Sequence, residues 1–301
     1  MSTFTRYNKP DFRLEFIGIG AAKSGTTWIS DNLRHHPDVF VPEKKELVYF
    51  NQDLRLLPGT KNPDNKKPLS WYHDFFRESD DAKTNGEISV EYLLDKGAPA
   101  NIKQYNPDVK IIAIFRKHPD QLFSLYQYMT SRGVFHYKSF EAAIEDRSDL
   151  FKNYFFADYM ERYFALFPPE QIGIFFFDDI VQNPEKLFGE ICEFIGVQKF
   201  LPDSLGQKSN KTKEARFPIV NHSLQKIRHF ITQHKLEGVL PLLRYTGILP
   251  LASYIRDRAN VRDRKSKPVL ADATREMLQK LYANDVLKLE KISGRNLDHW
   301  K

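Results

Sequence analysis

The chain has 301 residues, 45 Lys and Arg against 39 Asp and Glu, and 41% hydrophobic residues; this balance can bury a large core and excludes a disordered charged tail. Its single cysteine, Cys192, excludes an internal disulfide and a cysteine-rich zinc framework and fits a reducing compartment. A formal net charge of +6 with a pI near 9.1 favours anionic ligands. Acids are interleaved with the basic residues throughout, so a small polyanion fits better than a nucleic-acid track.

The polar N-terminus has no apolar h-region, so no secretory signal is expected and the expected location is the cytoplasm. No stretch approaches the roughly 18–20 uninterrupted apolar residues of a membrane span. The least charged region, Val239 to Ile255, contains Arg244 and two prolines and reads first as a buried helix, with an acceptor cleft or a membrane surface as the alternative contacts. No stable membrane insertion is expected. Oligomeric state is not legible.

In chain order, Leu14 to Ile19 (LEFIGI) is a short apolar run ending in Gly20, and a helical pattern follows from Thr26 to Leu33. Trp71 to Phe76 and Ala98 to Tyr105 have the three- and four-residue apolar spacing of helices. Lys110 to Phe115 (KIIAIF) reads as a buried parallel strand, followed by Arg116 and a helix from Pro119 to Thr130. Helix Tyr154 to Phe167 then leads to strand Ile172 to Phe177 (IGIFFF), a polar turn at Asp178-Asp179, and a helix carrying Leu187, Ile191, Phe194 and Ile195. Pro218 to Thr232 and Ala271 to Ile292 complete the helical set. This alternation predicts an α/β fold: one P-loop-like domain with a mostly parallel central sheet and helices on both faces. Residues 1–12 are expected to form an arm and 13–301 the domain. Asn51 to Ser70 and Leu201 to Arg216, rich in Pro, Asn, Gly and Lys, read as long surface loops of the kind that bind or cover ligands.

Gly20 to Trp28 (GAAKSGTTW) lies between the first strand and the first helix, where backbone N–H groups and the helix dipole favour an anion. Lys23, Ser24, Thr26 and Thr27 add a cation and hydroxyl donors, and Gly25 allows close backbone approach. A P-loop requires G-x4-G-K-[ST], whereas here Gly20-x4-Gly25 is followed by Thr26-Thr27 and the lysine sits inside the loop. A transferred group less charged than a γ-phosphate would need less metal assistance, and a sulfuryl group fits that description.

The segment Ala21 to Trp28 resembles the 5′-phosphosulfate-binding loop of the sulfotransferases that use 3′-phosphoadenosine 5′-phosphosulfate (PAPS). Phe115 to Tyr126 (FRKHPDQLFSLY) is similar to their 3′-phosphate motif, with Arg116 at a strand end and Ser124 eight residues later. In Arg34 to Phe50, Glu46 before Tyr49-Phe50 matches the catalytic glutamate of carbohydrate-type and bacterial members. Gly86 to Leu93 (GEISVEYL) resembles a following strand and turn, with Ile88 where animal glycan-modifying members often have Lys. Gly294 to Trp300 looks like a terminal signature of bacterial members.

The resemblance implies donor binding by Lys23, Ser24, Gly25, Thr26, Thr27, Trp28, Arg116 and Ser124. Lys211, Lys213 and Arg216 are implied from a late basic loop. It also implies in-line transfer to a hydroxyl on a sugar, lipid or other small molecule, with Lys23 stabilising charge, Glu46 as general base and no metal. Glu43 and His118 remain alternatives for the base, and Lys44 and Lys45 could steer an acidic acceptor. The other readings are a small-molecule kinase with an altered P-loop and a non-catalytic module binding 3′-phosphoadenosine nucleotides. Nine histidines contain no zinc-ligand spacing.

Overall fold

A computed structural model describes residues 12–52, 67–80, 83–151, 154–206, 213–215, 245–247, 261–263 and 268–301. Five strands form one all-parallel sheet: β1 (Phe16–Gly20), β2 (Val39–Phe40), β3 (Thr84–Ile88), β4 (Lys110–Phe115) and β5 (Ile172–Phe176), in the order β2-β3-β1-β4-β5. The apolar runs of β1, β4 and β5 are where the sequence puts strands, because strands buried on both faces need no polar alternation. β2 has two residues and β3 reads TNGEI, so neither carries an apolar signal.

Helices α1 (Thr26–Arg34), α2 (Leu69–His73), α3 (Ala98–Tyr105), α4 (His118–Ser131), α5 (Phe140–Asp146), α6 (Ser148–Phe151) and α7 (Phe156–Phe164) follow in order. The last three of the described set are α8 (Phe177–Gln182), α9 (Pro184–Ile195) and α10 (Asp272–Ser293). Asp178 and Asp179 form no separate turn: they occupy the first turn of α8, where carboxylates suit the helix dipole.

The chain divides into two compact units. The first takes the chain through Gln121, Phe155–Ser209 and Gln279–Lys301, and holds the five-stranded sheet. On one face of the sheet, Trp28, Ile29 and Leu33 of α1 and Phe188, Ile191 and Cys192 of α9 join Ile88, Ile112 and Ile114 in the core. Strand alternation turns Phe115 to the opposite face, where its ring stacks on Phe156 at 4.7 Å between centroids.

The second unit comprises Leu122–Tyr154 and Asn210–Leu278. In it Phe123, Tyr126 and Phe151 pack around Phe140, the Ser139 hydroxyl caps α5, and β6 (Lys213–Ala215) pairs antiparallel with β7 (Val261–Asp263). The helix expected over Pro218 to Thr232 lies outside the described residues, as do most of Asn51 to Ser70 and Val239 to Ile255.

Two glycines set how closely β1 and β3 pack. Phe16 pairs with Gly86 and Gly18 with Ile88, so each large side chain lies against a glycine. A Cβ at Gly86 would come within 2.3 Å of the Phe16 ring. Gly86→Ala is therefore expected to lower unfolding stability by about 1–3 kcal/mol, the usual range for overpacking, as read by urea denaturation.

Candidate active site

The loop after β1 is fixed by a backbone bond to β4 and a side-chain bond from α4. Ala21 N–H donates to Ile114 O at 2.8 Å, and Gln121 Nε2 donates to Ala22 O at 2.8 Å. Lys23 and Gly25 have φ of 65° and 102°, in the left-handed region, and together they turn the chain into α1. Gly25 at the N-cap makes no side-chain capping bond, and α1 has no acid in its first turn. The first N–H groups of any helix have no partner within it, and here no carboxylate of α1 itself offsets the positive end. Ser24 is fully buried, and its Oγ has no hydrogen-bond partner among the described residues. A buried hydroxyl left without a partner is costly unless a ligand supplies one, so the loop fits an oxyanion.

A second cation reaches this loop from another segment. Lys45 Nζ donates to Thr26 Oγ1 at 2.9 Å and, at a longer 3.4 Å, to Thr27 Oγ1. Having accepted from Lys45, each threonine hydroxyl has its own proton left to donate elsewhere. The same ammonium lies 3.5 Å from Glu46 Oε1, while Val90 N–H donates to Glu46 Oε2 at 2.8 Å. Burial lowers the Lys45 pKa and raises that of Glu46, with their mutual attraction opposing both shifts. Glu46 thus remains within one ion pair of the anion loop and is more basic than an ordinary carboxylate.

Arg116 closes the other side. Its guanidinium lies 4.5 Å from the centroid of the Phe177 ring and makes a long 3.4 Å contact to Lys23 O. Burial lowers its pKa, against the opposing charges of Asp120 and Asp178.

The sulfotransferase domain family model matches residues 15–238. The chain belongs to the sulfotransferase family. It is 24% identical over 195 residues to heparan sulfate glucosamine 3-O-sulfotransferase 3B1 of Homo sapiens, covering 62% of this chain and 47% of that protein. To the human bifunctional heparan sulfate N-deacetylase/N-sulfotransferase 3 it is 26% identical over 203 residues, covering 61% and 22%. The chain thus spans half or less of the length of these curated relatives. A sulfotransferase structure from Alicyclobacillus acidocaldarius has the same fold, with a TM-score of 0.67 at 22% identity over 96% of this chain and 99% of that one.

In this chain Lys23, Ser24, Gly25, Thr26, Thr27, Glu46 and Arg116 all belong to the first unit, around the carboxyl ends of β1 and β4. Trp28 differs from its neighbours: its side chain is 5% exposed, packs edge-on against Phe188 and donates to Leu205 O, so it braces α1 in the core. Ser124 is half-buried in α4 and belongs to the second unit. Lys213 lies in β6, while Lys211 and Arg216 lie outside the described residues.

His118 is 1% exposed, with its ring stacked between Phe156 and Tyr282 and its Nε2 2.9 Å from Asp285 Oδ2. Asp285 also accepts from the N–H groups of Phe156 and Ala157, so this pair fastens the start of α7. Burial lowers the His118 pKa. Such a histidine is placed to brace the fold and has no open face for an acceptor. Glu43 and Lys44 are exposed and line a separate 510 Å³ cavity, with Lys44 over the Phe75 ring.

Sequence reasoning missed the placement of Lys45, one of two adjacent lysines in Glu43-Lys44-Lys45-Glu46. It also missed Glu87, buried on β3 beneath the site. Glu87 accepts from the hydroxyls of Tyr72, Tyr92 and Ser89 at 2.9, 2.6 and 2.8 Å. Burial raises its pKa to about 7 against those three bonds, with Glu46 adding to the rise. A folded-state pKa above the unfolded value means that the folded chain binds the extra proton. Glu87's contribution is then most favourable below about pH 4.5 and is lost as pH rises through 7. The stability difference between wild type and Glu87→Gln should accordingly fall by up to about 3 kcal/mol from pH 4.5 to pH 8 in chemical denaturation. A difference that grows with pH would mean that Glu87 is held as a stabilised anion.

Proposed function

We propose that this chain transfers a sulfuryl group from PAPS to a hydroxyl of a sugar-type acceptor, by in-line attack, with Glu46 as the general base. The observation that carries this reading is the Lys45 ammonium, in contact with the anion loop through Thr26 and with Glu46 through an ion pair. The sugar-type acceptor follows both relatives, which are named for heparan sulfate, and the choice of a hydroxyl follows the 3-O-sulfotransferase rather than the N-sulfotransferase.

Bound at the loop, the donor supplies an activated sulfuryl group. Ser24, Thr26, Thr27 and the backbone of Gly25 hold the phosphosulfate, with Trp28 fixing the helix that presents them. Lys23 and Lys45 place two positive charges where negative charge develops on the leaving oxygen, which is the task a divalent cation performs in phosphoryl transfer, so no metal is required. Glu46 takes the proton of the acceptor hydroxyl. An anion at the loop competes with Glu46 for Lys45, and that competition raises the basicity of Glu46 when the donor is present. Arg116 recognises the 3′-phosphate through its planar fork. Ser124, Lys211, Lys213 and Arg216 are assigned to the nucleotide from the sequence motifs. Membership of the sulfotransferase family stands against the kinase, and a base beside the donor loop favours turnover over a binding module. The protein is proposed to act in the cytoplasm on a hydroxyl-bearing small acceptor, without nucleic acid.

Two measurements test this assignment. Glu46→Gln keeps the shape and removes the basicity, so turnover with PAPS and a glucosamine-containing heparan oligosaccharide should fall by about 10²–10⁴-fold while donor affinity is retained. Lys45→Met should reduce both. Near-normal turnover in Glu46→Gln with loss in Glu43→Gln would move the base. In calorimetry, Arg116→Ala should weaken 3′-phosphoadenosine 5′-phosphate by about 1.5–3 kcal/mol and leave adenosine 5′-phosphosulfate little changed. Equal losses for the two ligands would remove Arg116 from the 3′-phosphate.

A further inference from the structure

Glu87 is a fully buried carboxylate whose three hydrogen-bond partners are all neutral hydroxyls. A buried carboxylate held only by neutral groups is an expensive way to brace a fold, since apolar residues of similar volume commonly do as well. Its partners lead to the segment that carries the base. Ser89 Oγ, having donated its proton to Glu87, accepts from Val48 N–H at 3.1 Å. Tyr92 Oη does the same with Phe50 N–H, at a longer 3.5 Å. A hydroxyl has one proton, so committing it to Glu87 turns the oxygen lone pairs toward those backbone donors.

The segment needs such support. Glu46 and Val48 have φ of 61° and 50°, a conformation unfavourable for any residue with a Cβ and most so for β-branched Val48. Conformations of this kind persist only where their surroundings over-determine them. Glu46 N–H also donates to Ile88 O, at 3.3 Å, and Ser89 N–H is fixed to Gly18 O at 2.9 Å. The residues flanking Glu87 are thus tied to the central strand and to the strained segment alike.

We propose that Glu87 is a positioning residue for the base: through the Ser89 hydroxyl it fixes the left-handed Glu46–Val48 segment, so that the Glu46 carboxylate meets Val90 N–H and Lys45. The proposal rests on the reading of Glu46 as the base. The charged and titratable groups facing Glu87 are Tyr72 from α2, Tyr92 from the turn after β3, Tyr105 from α3 and Glu46 itself.

The test uses two readouts on the full chain. The first is amide exchange at Val48, which should accelerate at least about tenfold in Glu87→Gln, because the one amide oxygen is held by the two tyrosine hydroxyls and the NH₂ that then faces Ser89 cannot accept its proton. The second is the titration of the Glu46 carboxyl by ¹³C NMR, assigned by its loss in Glu46→Gln. In Ser89→Ala, which leaves both carboxylates in place, the Glu46 midpoint should fall toward the ordinary carboxylate value, because a loosened segment admits water and burial, the largest cause of the raised pKa, outweighs the lost contacts to Lys45 and Val90 N–H. Tyr92→Phe serves the same purpose if Ser89→Ala does not fold. Unchanged Val48 exchange in Glu87→Gln overturns the proposal, and so does an unchanged Glu46 midpoint in the hydroxyl variant. In turnover, Ser89→Ala should lower kcat about tenfold with donor affinity kept, and should cost nothing further in a Glu46→Gln background. Equal losses in both backgrounds reduce Glu87 to a fold brace and overturn the proposal. Full turnover in Glu46→Gln alone instead removes the base reading, an outcome distinct from either result on the segment.

Discussion

β1 is hydrogen-bonded to a parallel strand on each side, β3 and β4, and the geometry of the site follows from that double pairing. Parallel strands deliver their following connections to the same edge, so three of them meet at the carboxyl end of β1. The first is the loop from Gly20 to Gly25, the second the turn from Ser89 to Tyr92, and the third Arg116 leading into α4. Backbone bonds lock them in register: Ser89 N–H to Gly18 O, Leu93 N–H to Ile19 O and Ala21 N–H to Ile114 O. A shift of β3 or β4 against β1 would move the base support or Arg116 relative to the loop.

Among the described residues, Lys45 and Arg116 at this edge are only partly compensated. Lys45 pairs with Glu46 and two hydroxyls, with Asp31 acting through space; Arg116 has an aromatic face, a long contact to Lys23 O and the charges of Asp120 and Asp178. Fully paired cations would have little to offer a ligand, and fully solvated ones would be weakened by water. Partial burial with incomplete pairing keeps both ready for an anion. It also explains why desolvation leads the causes of the shifts at Lys45, Glu46 and Arg116 alike.

Legibility in the sequence tracked what each residue must do. β1, β4 and β5 are covered on both faces, so their apolar runs were readable; β3 carries Glu87 and Asn85 inside the fold, and its polar letters hide a buried strand. The loop was readable because its glycines and hydroxyls are local in the chain. Lys45 was not, since nothing in Lys44-Lys45 says which side chain turns toward α1 and which lies over the Phe75 ring. Glu87 was hidden for a related reason, as its partners Tyr72 and Tyr92 come from either side of it in sequence and converge only through packing. Trp28, part of the loop motif, is a core residue by its side chain.

The backbone offers an independent line to the same place. Among the described residues, the non-glycine positions with positive φ are Lys23, Glu46 and Val48. One lies in the anion loop, one is the proposed base, and the third is held by the Ser89 hydroxyl. Each such conformation costs on the order of 1–3 kcal/mol, so three together are comparable to the net stability of about 5–15 kcal/mol of an ordinary domain. A fold under no demand but stability would place glycine there. The buried faces of the parallel sheet offset the cost, and what the strain secures is direction: the turn at Lys23 aims the loop into α1, and the turns at Glu46 and Val48 set a carboxylate beside a lysine that already touches the loop.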